Sequence, residues 1–208
     1  MNIIYIHGLD SDANSIKGAL LEDYCQSHHP DIKVLRPDLN KSPAQVFVQL
    51  SDLVAVAGDA SKIVLIGSSL GGYFATLISN HTGCPALLLN PSTQPHITLQ
   101  RFSDNPNSNV TNDNIKVSDQ ILYTTSGGWS ITRADLQWFA EHRLQSVHYP
   151  TKLAIFIKEG DELLDPSVSA KFYQQQGTAV TLQAGGDHRF NDFSEQLPML
   201  INILQKLV

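Results

Sequence analysis

Six short apolar runs, separated by longer amphipathic stretches, constrain this chain most: Asn2 to Ile6, Lys33 to Leu35, Lys62 to Ile66, Ala86 to Leu89, Lys152 to Ile157 and Ala179 to Leu182. Runs this short and this rich in Val, Ile and Leu read as strands. Strands joined by helical stretches rather than tight turns pair in parallel, because a parallel connection needs a crossover. The expectation is an α/β fold of the α/β-hydrolase kind, a mostly parallel sheet of about six strands with helices on both faces. With 208 residues, 42% hydrophobic and 16% charged, the chain fits a single domain around one well-buried sheet.

Capping signals place several helices. Ser42-Pro43-Ala44-Gln45 reads as an N-cap, a first-turn proline and a capping box, followed by Val46, Phe47, Leu50, Leu53 and Val54 at helical spacing. Asp165-Pro166 opens another helix that ends near Gly177, and a last one runs from about Asp192 to Leu207, with Pro198 forcing a kink or a restart. The segment 92–150 breaks the rhythm, being far longer than an ordinary crossover. Ser103 to Asn114, with five asparagines, reads as a mobile loop, and Ser126-Gly127-Gly128 as a second flexible point. Thr132-Arg133-Ala134-Asp135 resembles a capping box ahead of Leu136, Phe139, Ala140 and Leu144 on one helical face. The segment reads as a small cap or lid inserted in the domain; the alternative is a surface insertion without a catalytic part.

Several function classes drop out. Fourteen basic against twenty acidic residues give a net charge of −6 without a Lys/Arg block, so no nucleic-acid partner is expected. The start, Met1 to Gly8, reads as a first strand rather than a leader, and no stretch approaches the ~18 apolar residues of a membrane span. Cys25 and Cys84 lack metal-like spacing and suit a reducing cytoplasm; the sequons at Asn80 and Asn109 read as chance. Phosphate-loop, dinucleotide, C-x-x-C and H-E-x-x-H patterns are missing, so no cofactor and no metal are called for.

The chemistry sits at Gly67-Ser68-Ser69-Leu70-Gly71, a G-x-S-x-G pattern directly after the run Ile63-Val64-Leu65-Ile66. The pattern alone arises by chance in about one chain in fourteen of this length. Its setting between a strand and the helical spacing of residues 73–79 is what a nucleophile elbow requires, with small flanks that let the turn close around Ser69. The alternative is a glycine-rich turn holding an unreactive serine. An activated serine needs a base and a carboxylate, which follow in the order serine, acid, histidine in this kind of sheet. Both occur. Lys152 to Ile157 leads into Lys158-Glu159-Gly160-Asp161-Glu162-Leu163-Leu164-Asp165, and the next run leads into Gly185-Gly186-Asp187-His188-Arg189-Phe190. Asp161 is favoured as the acid and His188 as the base. Asp165 is explained as a helix cap, while Glu159 and Glu162 read as solvated loop residues. The other histidines (28, 29, 81, 96, 142 and 148) imply no partner. His7-Gly8-Leu9 follows the first strand, so His7 orders a loop whose Leu9 amide, with that of Leu70, would form an oxyanion hole.

Five blocks together resemble the YqiA/YcfP family of small bacterial α/β-hydrolase esterases: Tyr5 to Ser11, Ile66 to Thr76, Leu89-Asn90-Pro91, Gly160 to Asp165 and Gly185 to Phe190. The resemblance fades between about Ile97 and Val147. It implies Ser69 as nucleophile, Asp161 as acid, His188 as base, and short-chain esters or acyl-CoA thioesters as substrates. Asp187 departs from it, standing where asparagine is expected, and offers His188 a rival carboxylate. Serine esterase is thus the leading expectation. The alternatives are an acyl-CoA thioesterase, with Arg101, Lys116, Arg133 and Arg143 as candidate phosphate contacts, and a non-catalytic binding module on the same fold.

Overall fold

The computed structural model describes residues 1–103 and 116–208. All six expected strands form: β1 (Asn2–Ile6), β2 (Lys33–Leu35), β3 (Ile63–Ser68), β4 (Ala86–Leu89), β7 (Leu153–Lys158) and β8 (Ala179–Gln183). They make one parallel sheet in the order β2-β1-β3-β4-β7-β8. Successive side chains point to opposite faces, and here both faces are covered. Ile4, Ile6, Leu65, Leu88 and Ile155 enter one apolar layer; Ile3, Tyr5, Val64, Leu87 and Phe156 enter the other. That two-sided burial is why the central strands read as unbroken apolar runs.

Helices α1 (Ile16–His28) and α7 (Phe193–Leu207) cover one face; α2 (Pro43–Ala57), α3 (Leu70–Thr82) and α6 (Pro166–Gln175) cover the other. The capping residues behave as their chemistry dictates. Both the amide and the hydroxyl of Ser42 donate to Gln45, and Asp165 accepts the Ser167 amide at 2.9 Å. Pro198 does not restart the helix, because α7 runs through it without a break. The helix buries Phe193, Leu197, Leu200, Ile201 and Leu204 against the sheet, and Pro198 lies on the exposed side. Water there can satisfy the carbonyl that a missing amide leaves free. Among the described residues, no helix is long and apolar enough to cross a membrane.

Between β4 and β7 lie a short helix α4 (Pro95–Thr98), strands β5 (Ile121–Thr124) and β6 (Ser130–Thr132), and helix α5 (Arg133–Glu141). The antiparallel pair β5-β6 was not expected; Ser126-Gly127-Gly128 is the tip of its hairpin, closed by Thr125 and Trp129 exchanging backbone and hydroxyl hydrogen bonds. The capping box of α5 is present, with Thr132 N–H donating to Asp135 at 2.9 Å. The helix stops at Glu141, so Leu144 lies beyond it rather than on its apolar face. From residue 104 onward, the loop expected between Ser103 and Asn114 lies outside the described residues.

Candidate active site

From β1 the chain adds β2 on one side and then β3 on the other, and clefts open at the carboxyl ends of parallel strands where the strand order reverses in this way. Ser69 sits there, one residue past β3, with φ 55° and ψ −118°. A non-glycine residue in that region costs on the order of 1–3 kcal/mol and persists only where its surroundings fix it. Those surroundings are on the page: Ser69 N–H donates to the Leu89 carbonyl, and its own carbonyl accepts from Gly72 and Ser92, all at 2.9–3.0 Å. A Cβ at Gly67 would collide with the Gly71 carbonyl, and one at Gly71 with the Ile6 carbonyl, so this strand-to-helix turn admits only glycine at both flanks.

Asp161 and His188, the expected acid and base, lie on the loops after β7 and β8. Asp161 follows β7, and its Oδ1 accepts the amides of Leu163 and Leu164 at 2.9 and 2.8 Å. Its Oδ2 lies 2.7 Å from His188 Nδ1, and His188 Nε2 lies 2.9 Å from Ser69 Oγ. The Asp161 side chain is 2% exposed and that of His188 12%. Burial opposes ionisation of Asp161, yet the hydrogen bonds from His188, Leu164 and Leu163 outweigh it and hold the carboxyl below its ordinary range. An ionised Asp161 fixes the proton on His188 Nδ1 and leaves Nε2 to accept the Ser69 hydroxyl.

The rival carboxylates fall into place. Asp165 caps α6 as expected. Asp187, which stands where the resemblance implies asparagine, accepts from the amide and side chain of Asn191. Glu162 is more than a solvated loop residue, because its Oε2 accepts the His188 backbone N–H at 2.9 Å. Glu159 contributes its backbone, donating to the Gln183 carbonyl and so extending the β7-β8 pairing toward the site.

Three further residues fasten these loops, and the sequence reading passed over all of them. Asn90, 2% exposed with φ 43°, accepts the Lys158 amide at 2.8 Å and donates to the carbonyls of Asp187 and His188. It therefore ties β4, the root of the acid loop and the base loop together. Lys158 is buried, with Nζ 2.5 Å from Asp192 and over the Phe190 ring at 4.6 Å; its stem lies along Gly186. Lys17 of α1 donates to the Arg189 carbonyl at 2.6 Å. Asn90 offered one signal, since asparagine tolerates the left-handed region, but the following Pro91 favours extended backbone and argued against it. A lysine closing an apolar strand offered none.

On the opposite side of Ser69, the loop after β1 lies against the elbow: a Cβ on Gly8 would be 3.2 Å from Ser69 Cβ. His7 is buried, its Nδ1 2.9 Å from the Gly8 carbonyl and its Nε2 accepting the Leu39 amide at 3.0 Å. Burial lowers its pKa, so it stays neutral and orders the loop. Leu70 begins α3, where amides have no intrahelical acceptor. The hairpin docks on this same loop. Tyr123 Oη and the Ser126 amide donate to Asp10 at 3.0–3.1 Å, and Thr125 Oγ1 donates to Asn40 at 3.4 Å.

A profile of the uncharacterised protein family UPF0227 matches residues 2–205. Among solved structures, Est1E from Butyrivibrio proteoclasticus is similar over 99% of this chain and 87% of its own, with a TM-score of 0.74 at 15% identity. Mouse α/β hydrolase domain-containing protein 10 is similar over 100% and 90%, with a TM-score of 0.69 at 16% identity. For the monoacylglycerol lipase of Paleococcus ferrophilus the figures are 100%, 95%, 0.66 and 13%. At these identities the likeness is one of fold, and the fold is that of the α/β-hydrolases.

Proposed function

This chain belongs to the UPF0227 (YqiA/YcfP) family, and on that premise we propose that it is a serine esterase working through Ser69, His188 and Asp161. One observation carries the reading: a continuous hydrogen-bonded relay from Ser69 Oγ through His188 to Asp161, ending on a serine in a strained elbow. Ser69 Oγ attacks the ester carbonyl carbon while His188 Nε2 takes its proton. The resulting oxyanion is received by the amides of Leu9 and Leu70, a donor pair of which each member is worth about 3 kcal/mol of transition-state stabilisation. His188 then gives the proton to the leaving alcohol oxygen, the carbon–oxygen bond breaks, and an acyl-enzyme remains. Water, deprotonated by His188, repeats the sequence and releases the acid.

The described part of segment 92–150 is read as the cap, since its hairpin is seated on the loop that carries Leu9. Thioester hydrolysis would differ only in the leaving group. Two of the basic residues weighed for coenzyme phosphates are already engaged, Arg101 over the Phe102 ring and Arg133 with Gln120, which favours the ester. The test is labelling by a fluorophosphonate. The expected result is one adduct at Ser69 and none in Ser69→Ala; a folded wild type that stays unlabelled sinks the reading and leaves the binding module.

A further inference from the structure

Strand β7 is apolar until its last residue, Lys158, whose side chain is 5% exposed. Lysine is almost never buried without a partner, and the chemistry proposed above uses no amine at this place. We propose that Lys158 is a positioning residue of the Ser69–His188–Asp161 relay, its backbone holding the acid and its ammonium fixing the loop that carries the base. The proposal rests on the esterase reading and deepens it by naming the group on which the relay's geometry depends.

The backbone of Lys158 reaches both loops. Its carbonyl accepts the Asp161 amide at 3.2 Å, and its amide donates to Asn90 Oδ1 at 2.8 Å. Asn90 Nδ2 in turn donates to the carbonyls of Asp187 and His188 at 3.0 and 3.3 Å. Acid and base are therefore referred to the same residue.

The side chain then meets the base loop, residues 184–192, on both sides of His188. Ahead of it, the stem lies against Gly186: a Cβ there would be 2.5 Å from Lys158 Cδ, and φ is 74°. Beyond it, Nζ stands 4.6 Å from the Phe190 ring centre and 2.5 Å from Asp192 Oδ2. Phe190 is 1% exposed with φ 58°, a conformation that a non-glycine residue keeps only where its surroundings hold it. The ends of the loop are tied separately, because Gln183 and Gln196 exchange side-chain hydrogen bonds at 3.0 and 3.2 Å and Gln196 also donates to Asp192.

Stability alone does not account for a charge here. Both ions of a buried pair must shed water, and apolar side chains of similar volume often serve the fold as well or better. What the ammonium adds is selection among loop conformations. It is satisfied when Phe190 presents its ring and Asp192 its carboxylate, and other courses of the loop leave a buried charge unpaired.

The experiment compares full-length wild type, Lys158→Met and Asp192→Asn in kcat and KM for p-nitrophenyl acetate, urea midpoint, and the downfield proton resonance of His188 Nδ1–H shared with Asp161. Methionine keeps the stem against Gly186 and removes the charge. Its kcat is expected to fall on the order of tenfold to a hundredfold, the range that a misplaced catalytic group costs, with KM within about twofold and the resonance shifted or broadened. Asp192→Asn keeps the ammonium over Phe190, so it should lose less in the same direction, and it decides the matter if the methionine variant does not fold. Wild-type kcat in the deciding variant overturns the proposal even where the urea midpoint drops, since Lys158 would then serve the fold alone. A lowered kcat with an unmoved resonance overturns it as well, because the Asp161–His188 pair would have kept its geometry. If wild type hydrolyses no ester and stays unlabelled by fluorophosphonate, the esterase reading falls, and the resonance alone then decides for or against Lys158.

Discussion

The two sides of Ser69 are built differently. On the His188 side, the loops after β7 and β8 are held by Asn90, Lys158, Lys17, Glu162 and continued strand pairing, so that several independent contacts fix one imidazole. On the Leu9 side, the β5-β6 hairpin reaches the site through a few hydrogen bonds, to Asp10 and Asn40. Redundant fastening suits the role proposed for His188, which requires its position to be held closely. The hairpin is anchored instead by its own apolar side chains, Trp129 and Ile131, which are buried in the core. Substitutions on the first side should therefore move the imidazole as well as stability, while those on the second act first on stability.

The largest effect tests the first half of that contrast. Asp161→Asn should lower kcat by about 10⁴ with the fold kept, because an amide there stabilises the wrong imidazole tautomer. Circular dichroism with steady-state ester hydrolysis separates the two outcomes. Asp187→Asn should leave turnover nearly unchanged, since that carboxylate faces Asn191. An inverted result would move the acid from one loop to the other.

Next in size is Asn90→Ala. It strips the buried Lys158 amide of its acceptor, and an orphaned buried donor costs about 1–3 kcal/mol. Urea denaturation should show that loss, with kcat falling more than KM rises because His188 loses its tether. Unchanged kinetics in a destabilised variant would mean that the remaining fastenings suffice on their own.

The smallest effect concerns acid pH. Burial opposes ionisation of Asp192, but its hydrogen bonds with Lys158 and Gln196 prevail and hold the carboxyl below its ordinary range. A depressed carboxyl stabilises the fold above its unfolded pKa and loses that contribution as pH falls through the folded value. The stability gap between wild type and Asp192→Asn should accordingly be full above about pH 5 and close as pH drops below about 4, near the ordinary aspartate value. Urea midpoints across that range measure it, and a gap independent of pH would remove the ion pair from the loop's support.

What could be read from the sequence divides along the same line. The six strands, the capped starts of α2, α5 and α6, and the order Ser69, Asp161, His188 are written in local patterns: apolar runs, capping residues and glycines at a forced turn. The hairpin was missed although Ile121 to Thr124 and Ser130 to Thr132 flank Ser126-Gly127-Gly128, because its stability comes from partners such as Asp10, more than a hundred residues away. Glu162 and Lys158 were misread or passed over for a related reason. Their work is done by position against a loop about thirty residues further on, which no spacing rule encodes. Pro198 does not divide α7, since burial of the helix's apolar side keeps it continuous past a local breaker on its wet side.

The relay from Ser69 to His188 spans 119 residues of chain. During synthesis the elbow emerges long before the base, and the strands that brace it are in place before the last loop is made. On the proposed mechanism, a growing chain carries its serine unarmed until residues 185–192 dock beside α1. Turnover by this protein would serve as a built-in report that its C-terminal end has folded.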